Sequence, residues 1–222
     1  MTARGTAAEG AGDGTRLRQG CYRLFSRGFF PPGEQAVADL LGGGMVLDTM
    51  DVDAFAFAPS LWDWLERLEA ADPDLLASEY VRLFESGTDG SLCSLVESIR
   101  IGSVRAGDGA VASARIADAM RRHGVDAEAR GVPPDHLTVQ LELGSVLCDA
   151  EAKARTGGDV EALSAVLAEE AEAISQLAGW LPALADDVAS HDRSGAYAAL
   201  SAAVAAFVVH DADLIRMITG VS

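Results

Sequence analysis

The stretch that most restricts how this chain can fold lies between about residues 137 and 155. There Leu137, Val139, Leu141, Leu143, Val146 and Leu147 fall nearly all the way round a helix and leave no continuous polar face. Such a helix needs neighbours on every side, which places it in the middle of a helical bundle. Pro133-Pro134 restrict the approach to it, Asp135 stands where an N-cap is expected, and Gly157-Gly158 closes it.

The segments around it read as partners of the same kind. Leu17, Cys21, Leu24 and Phe25 share helical spacing over Thr15–Phe30, ahead of the break Pro31-Pro32-Gly33. A short helix, Glu34–Leu41, is expected to stop at Gly42-Gly43-Gly44. Ser60 and Asp63 resemble a capping box ahead of a helix from Leu61, and Asp72-Pro73 supplies a cap and an N1 proline ahead of Leu75, Leu76, Tyr80, Val81, Leu83 and Phe84. Further helices are expected at Ala110–His123 and Asp159–Leu181, another after Pro182, and a last one from Gly195 to Ile218. Met45–Ala58 fits no single period, and Ser94–Val104 suits helix or strand. Aromatics make up only 6 % of the chain and runs of β-branched residues are scarce, so a sheet is disfavoured. The expected fold is all-α, an irregular bundle of about eight to ten helices. Residues 1–14 read as a disordered tail and 15–222 as one domain. The linker Val125–Pro134 is the place for a hinge, so the chain is expected as a monomer or a helix-swapped dimer.

The 222 residues carry 34 acidic and 17 basic side chains, a net charge of −17. That field repels nucleic acid, disfavours an anionic membrane surface and favours a cationic partner. Met1–Gly14 has no apolar segment of the signal-peptide kind, and no run approaches the ~18 uninterrupted apolar residues of a spanning helix, so the cytoplasm is the expected location.

Catalytic patterns are scarce. Cys21, Cys93 and Cys148 are widely spaced and form no C-x-x-C pair, and His123, His136, His191 and His210 offer no i, i+4 ligand pair, so no metal or other cofactor is expected. Neither Gly102-Ser103 nor Gly144-Ser145 extends to a nucleophile elbow. Glu169-Glu170, Asp186-Asp187 and His210-Asp211 read as solvated surface pairs. Gly107–Ala112 does match G-x-G-x-x-A, with Asp126 downstream, and supports an alternative reading as a nucleotide-binding enzyme or sensor. Against that reading, no βαβ setting surrounds it.

One stretch stands out. His136, Gln140 and Glu142 sit on the first turns of the otherwise apolar helix, where each buried polar group needs a partner or costs about 1–3 kcal/mol. Pro134-Asp135-His136-Leu137 followed by Gln140-Leu141-Glu142-Leu143 resembles the P-D-H-L-x-x-E-L-E-F signature of the TorD/DmsD/NarJ family of redox-enzyme maturation chaperones. Glu79-Tyr80-Val81-Arg82-Leu83-Phe84, and then Leu95-Val96-Glu97-Ser98-Ile99, resemble that family's E-Y-x-x-L-F and P-P-Y-E-S-V-Y blocks. Gln140 stands where the family usually has Glu, and Cys93-Ser94 replaces the proline pair.

The resemblance implies an all-α cytoplasmic chaperone with no catalytic residue and no metal. It implies that the partner is the immature catalytic subunit of a molybdopterin-containing oxidoreductase and, as in many members of the family, its twin-arginine leader. Family positions implicated in leader binding fall on Asp135, His136, Tyr80, Leu83 and Phe84. A twin-arginine leader is complemented by an apolar groove with carboxylates at one end, because an arginine fork matches a carboxylate bidentately. Asp135, Glu142 and Glu97 are candidates for the charge, Leu83, Phe84 and Trp62 for the wall, and Leu137 and Gln140 complete the motif.

Overall fold

The computed structural model describes residues 3–50, 52–85, 91–101, 108–127, 129 and 131–220. Among them are nine α-helices and no strand. The helices are α1 (Ala3–Gly28), α2 (Glu34–Asp48), α3 (Ala58–Ala70), α4 (Pro73–Tyr80), α5 (Glu97–Ile101), α6 (Asp108–Arg122), α7 (Leu137–Gly157), α8 (Val160–His191) and α9 (Ala196–Thr219), with a 3-10 turn at Val52–Ala54 and a π-helical turn at Val81–Glu85. The expected all-α bundle is the observed one.

The apolar helix sits as its sequence demands. α7 packs on α1 and on α8, while α9 packs on α8 and α3. The main core joins Tyr22, Phe25, Trp64, Leu137, Leu141, Leu184, Phe207 and Val208, and a smaller cluster under α6 joins Ile116, Met120, Val139, Leu143 and Leu147. By length and hydropathy α9 could cross a membrane, yet 61 % of its most apolar window is buried inside the protein. Cys21, Cys93 and Cys148 are buried free thiols.

Four local expectations are corrected. First, Gly42-Gly43-Gly44 does not end α2, which runs on to Asp48. A Cβ at Gly43 would lie 2.9 Å from a Leu24 methyl, and one at Gly44 would lie 2.5 Å from a Leu65 methyl. These two glycines let α2 approach α1 and α3 closely. Second, α3 begins at Ala58 with no side-chain cap, so Ser60 lies inside the helix and closes no capping box. Third, Pro182 lies within the single helix α8, whose residues on both sides of it (Ile174, Leu177, Leu184 and Val188) stay buried in the core. Fourth, Ser94–Val104, which by sequence suits helix or strand, is divided: Ser94–Val96 lie outside any helix, with Val96 in an isolated bridge, and Glu97–Ile101 form the helix α5. α1 extends upstream of Thr15 to Ala3, into the stretch expected as a tail. The Asp72 cap is as expected, its carboxylate accepting from the Asp74 and Leu75 N–H groups.

Two helical glycines separate propensity from packing. A Cβ at Gly144 would lie 2.6–2.8 Å from the Tyr22 ring, whereas one at Gly42 would meet nothing within 4 Å. Gly144→Ala should therefore lower stability by about 1–3 kcal/mol through overpacking. Gly42→Ala should raise it by up to about 1 kcal/mol, the helix preference of Ala over Gly. Urea denaturation of the two variants checks this: the midpoints should move in opposite directions.

Candidate functional site

The two motif blocks meet at one strap of chain. Residues 91–96 cross the start of α7 outside any helix and lead into α5, with Cys93, Leu95 and Glu97 buried and Ser94 and Val96 half-buried between them. One edge of the strap is tied to α7: the Leu137 N–H donates to the Leu95 carbonyl at 2.8 Å and the Glu97 N–H to the Asp135 carbonyl at 3.1 Å, and Val96 pairs with His136 as an isolated antiparallel bridge. At its other end the Cys93 N–H donates to the Leu83 carbonyl at 2.9 Å.

Asp135 does not cap its own helix. It is only 1 % exposed, and its carboxylate accepts from the Ser98 N–H at 2.9 Å, so it caps the start of α5 across the strap. The cap of α7 is His136, whose Nδ1 accepts from the Thr138 N–H at 3.3 Å, leaving the ring proton on Nε2. Burial holds this imidazole below the usual histidine range, against the pull of Asp135. Gln140 donates to the Asp135 carbonyl at 2.9 Å and to Glu97 at 3.0 Å, and Gln176 of α8 donates to both Glu97 oxygens at 2.7 and 2.8 Å. Burial pushes the Glu97 carboxyl up, opposed by the donors from Gln176 and Gln140. Glu97 is 2 % exposed and Gln140 is also buried. These polar groups thus find their partners inside the protein, as their cost in an apolar helix requires.

The other block is a packing knot. Glu79 accepts from Arg82 and from the Arg193 backbone N–H, the latter at 2.6 Å, and the Arg82 bond holds its carboxyl below the usual range. Tyr80 donates its hydroxyl to the Phe29 carbonyl at 3.1 Å, and burial pushes that phenol up to about 12. Phe84 packs edge-on against Tyr80, Phe29 and Tyr197 with ring centres 5.4–6.0 Å apart. Leu83 and Leu137 are fully buried. Between Tyr80 and the strap the helix widens into its π turn, a distortion that often marks functional sites.

A family model for the nitrate reductase delta subunit matches residues 48–186, more than half of the chain and both motif blocks. The chain belongs to that family. It is a molybdoenzyme maturation chaperone of the NarJ and TorD kind, not an enzyme. A crystal structure described as a redox enzyme maturation protein from Archaeoglobus fulgidus shares the fold. Its TM-score is 0.54 over 84 % of this chain and 91 % of that chain, at 19 % sequence identity. No curated protein matches the chain.

In this maturation chaperone the structure brings Asp135, His136, Gln140 and Glu97 together, and sets Tyr80, Leu83 and Phe84 in the packing knot at the other end of the strap. Trp62 lies apart from both, on α3, where its indole N–H donates to Asp53 at 2.6 Å. Glu142 is half-buried on α7. No group of three or more His, Cys, Asp and Glu side chains among the described residues is placed to hold a metal ion. Gly107 lies outside the described residues. Asp108–Ala112 are the first turn of α6, and the chain described before them is the helix α5 where the nucleotide reading needed a strand.

A second polar cluster carries no motif in the sequence. Arg18 is buried and places Nε 2.5 Å from Asp211, Nη1 2.7 Å from Glu151 and Nη2 2.9 Å from Glu170. Glu170 and Asp211, expected at the surface, are both 0 % exposed, which corrects those two assignments. The available signal was position: Arg18 shares a helical stripe with Tyr22 and Phe25, Glu170 with Ile174 and Leu177, and Asp211 with Val204, Phe207 and Ile215.

Replacing Asp135 tests what the motif does in the free protein. Asp135→Ala removes a buried acceptor and should cost about 1–3 kcal/mol, with loss of amide-exchange protection at Ser98. Asp135→Asn keeps an oxygen for that N–H and should cost less than about 1 kcal/mol. Urea denaturation with exchange detected by NMR distinguishes the two; equal costs would contradict the cap across the strap.

Proposed function

We propose that this chaperone holds the immature catalytic subunit of a molybdopterin oxidoreductase in the cytoplasm, together with its twin-arginine leader where it carries one, until the cofactor is in place. The client-binding face is formed by the strap 91–96, α5 and the start of α7. The observation that carries this reading is that both family blocks converge on one strap. Asp135, Glu97, Gln140 and Leu137 fasten it from one side, and from the other the Leu83 carbonyl, beside Tyr80 and Phe84 in its own block, accepts from the Cys93 N–H.

Those buried residues act by holding the face, while its outward side chains meet the client. Leu92 is 48 % and Ile99 67 % exposed, and the half-buried His136 lies beside Val96 between them. Exposed apolar side chains on a strap pinned by buried polar bonds are suited to an apolar client segment. The net charge of −17 favours the cationic end of a leader.

The test is a calorimetric titration of the full chain with the apo form of the molybdopterin oxidoreductase catalytic subunit encoded beside its gene, or with that subunit's leader peptide. Leu92→Asp and Ile99→Asp should each weaken binding by about tenfold or more, while stability changes by less than about 0.5 kcal/mol. Unchanged affinity in both variants places the client elsewhere, and failure to bind the apo subunit at all removes the reading. Leader affinity should also fall as salt rises, because screening shortens the reach of the acidic field. An affinity that rises with salt means that apolar burial alone drives binding.

A further inference from the structure

The cluster around Arg18 has an imbalance that its geometry locates on one atom. Two guanidinium groups, Arg18 and Arg155, face three carboxyl groups, Glu151, Glu170 and Asp211. Glu151 has both oxygens engaged, Oε2 by Arg18 and Oε1 by Arg155. Asp211 also has both engaged, Oδ1 by Arg18 Nε and Oδ2 by the Tyr22 hydroxyl at 2.6 Å. Glu170 has only Oε2 on Arg18; its Oε1 is buried with no partner. One charge is in surplus and one carboxyl oxygen is free, on the same side chain. An uncompensated buried charge is among the most expensive features a core can hold, whereas a single proton there restores neutrality.

We propose that the Arg18 cluster is a proton-dependent lock on the helical core: Glu170 retains a proton in the folded protein up into the neutral range, and its loss as pH rises through that range loosens α8 from α1, α7 and α9. The other groups of the cluster fit this assignment. Facing Glu170 are Arg18 from α1, Glu151 and Cys148 from α7 and Asp211 from α9, while Tyr22 and Cys21 of α1 lie beside Asp211 and Arg155 of α7 lies on Glu151. Burial pushes the Tyr22 phenol and the Cys148 thiol up, so both are neutral and neither supplies the missing charge. Burial likewise pushes the Glu170 carboxyl up to about 7, although the Arg18 charge opposes it. On the same helix, Glu169 reaches outward to Arg122 and His123 and stays outside the cluster.

The sign follows from linkage. A carboxyl whose folded value lies above its ordinary one stabilises the fold fully below the ordinary carboxylate range, and that contribution is lost as pH rises through its folded value. Between about pH 6 and pH 8 the unfolding constant of the wild type should therefore rise roughly tenfold from Glu170 alone.

The experiment is denaturant unfolding of the full chain across that range, for wild type and Glu170→Gln, which keeps the neutral shape. The wild type should show this extra rise and Glu170→Gln should lack it. Parallel curves overturn the proposal. Should Glu170→Gln fail to fold, a carboxyl-carbon NMR titration of the wild type decides. A Glu170 midpoint in the neutral range supports the lock, and a carboxylate already ionised at about pH 5 overturns it.

Discussion

One buried guanidinium ties together the four longest helices. Arg18 extends from α1, and its three nitrogens reach α7, α8 and α9, each through a different carboxyl group. Removing an ion from water costs several kcal/mol, and the mutual attraction offsets this only with good geometry and further hydrogen bonds. Here Tyr22 and Arg155 supply two of those bonds. The cluster's contribution is better read as specificity than as net stability. Apolar helices this rich in alanine can slide or rotate against one another at little cost, and a four-way polar contact admits one register. Taking away Arg18 would leave the carboxylates buried and uncompensated, which costs about 3–5 kcal/mol in comparable cases.

The register set there is passed to the strap through α8. The same helix that offers Glu170 to Arg18 offers Gln176 to Glu97, and Glu97 in turn holds Gln140 and the start of α5. The two polar clusters are the places where an otherwise apolar bundle specifies itself. The family motif therefore works first as architecture. Asp135 caps α5, not α7, and His136 takes the cap that Asp135 leaves free. This explains two of the costly polar side chains at the start of so apolar a helix: Asp135 and Gln140 secure a segment with too few residues to hold itself in place.

Where periodicity and caps agree locally, the fold was legible from residues alone. The Asp72-Pro73 start, the all-round apolar run of α7 and the long stripe of α9 needed no partner to be recognised. Apart from the start of α3, what failed were features whose meaning depends on another helix. Gly43 and Gly44 read as a stop until Leu24 and Leu65 stand against them, and Pro182 reads as a break until both flanks are seen to stay buried. Glu169 and Glu170 are indistinguishable as letters, yet about 100° of helical rotation sends one to Arg122 at the surface and the other to Arg18 in the core. The motif residues were found through the family resemblance, but their orientation was not: nothing in Pro134-Asp135-His136-Leu137 says that the carboxylate turns toward Ser98 rather than outward.

The central claim is that both family blocks exist to present one strap to the client. Hydrogen exchange of the full-length chaperone, alone and with the apo catalytic subunit of its neighbouring molybdoenzyme, tests this most directly. New protection should concentrate on residues 91–101 and the first turn of α7, with the outer faces of α2 and α9 unchanged. Protection confined to α2 or α9, with the strap exchanging as in the free protein, would contradict the account.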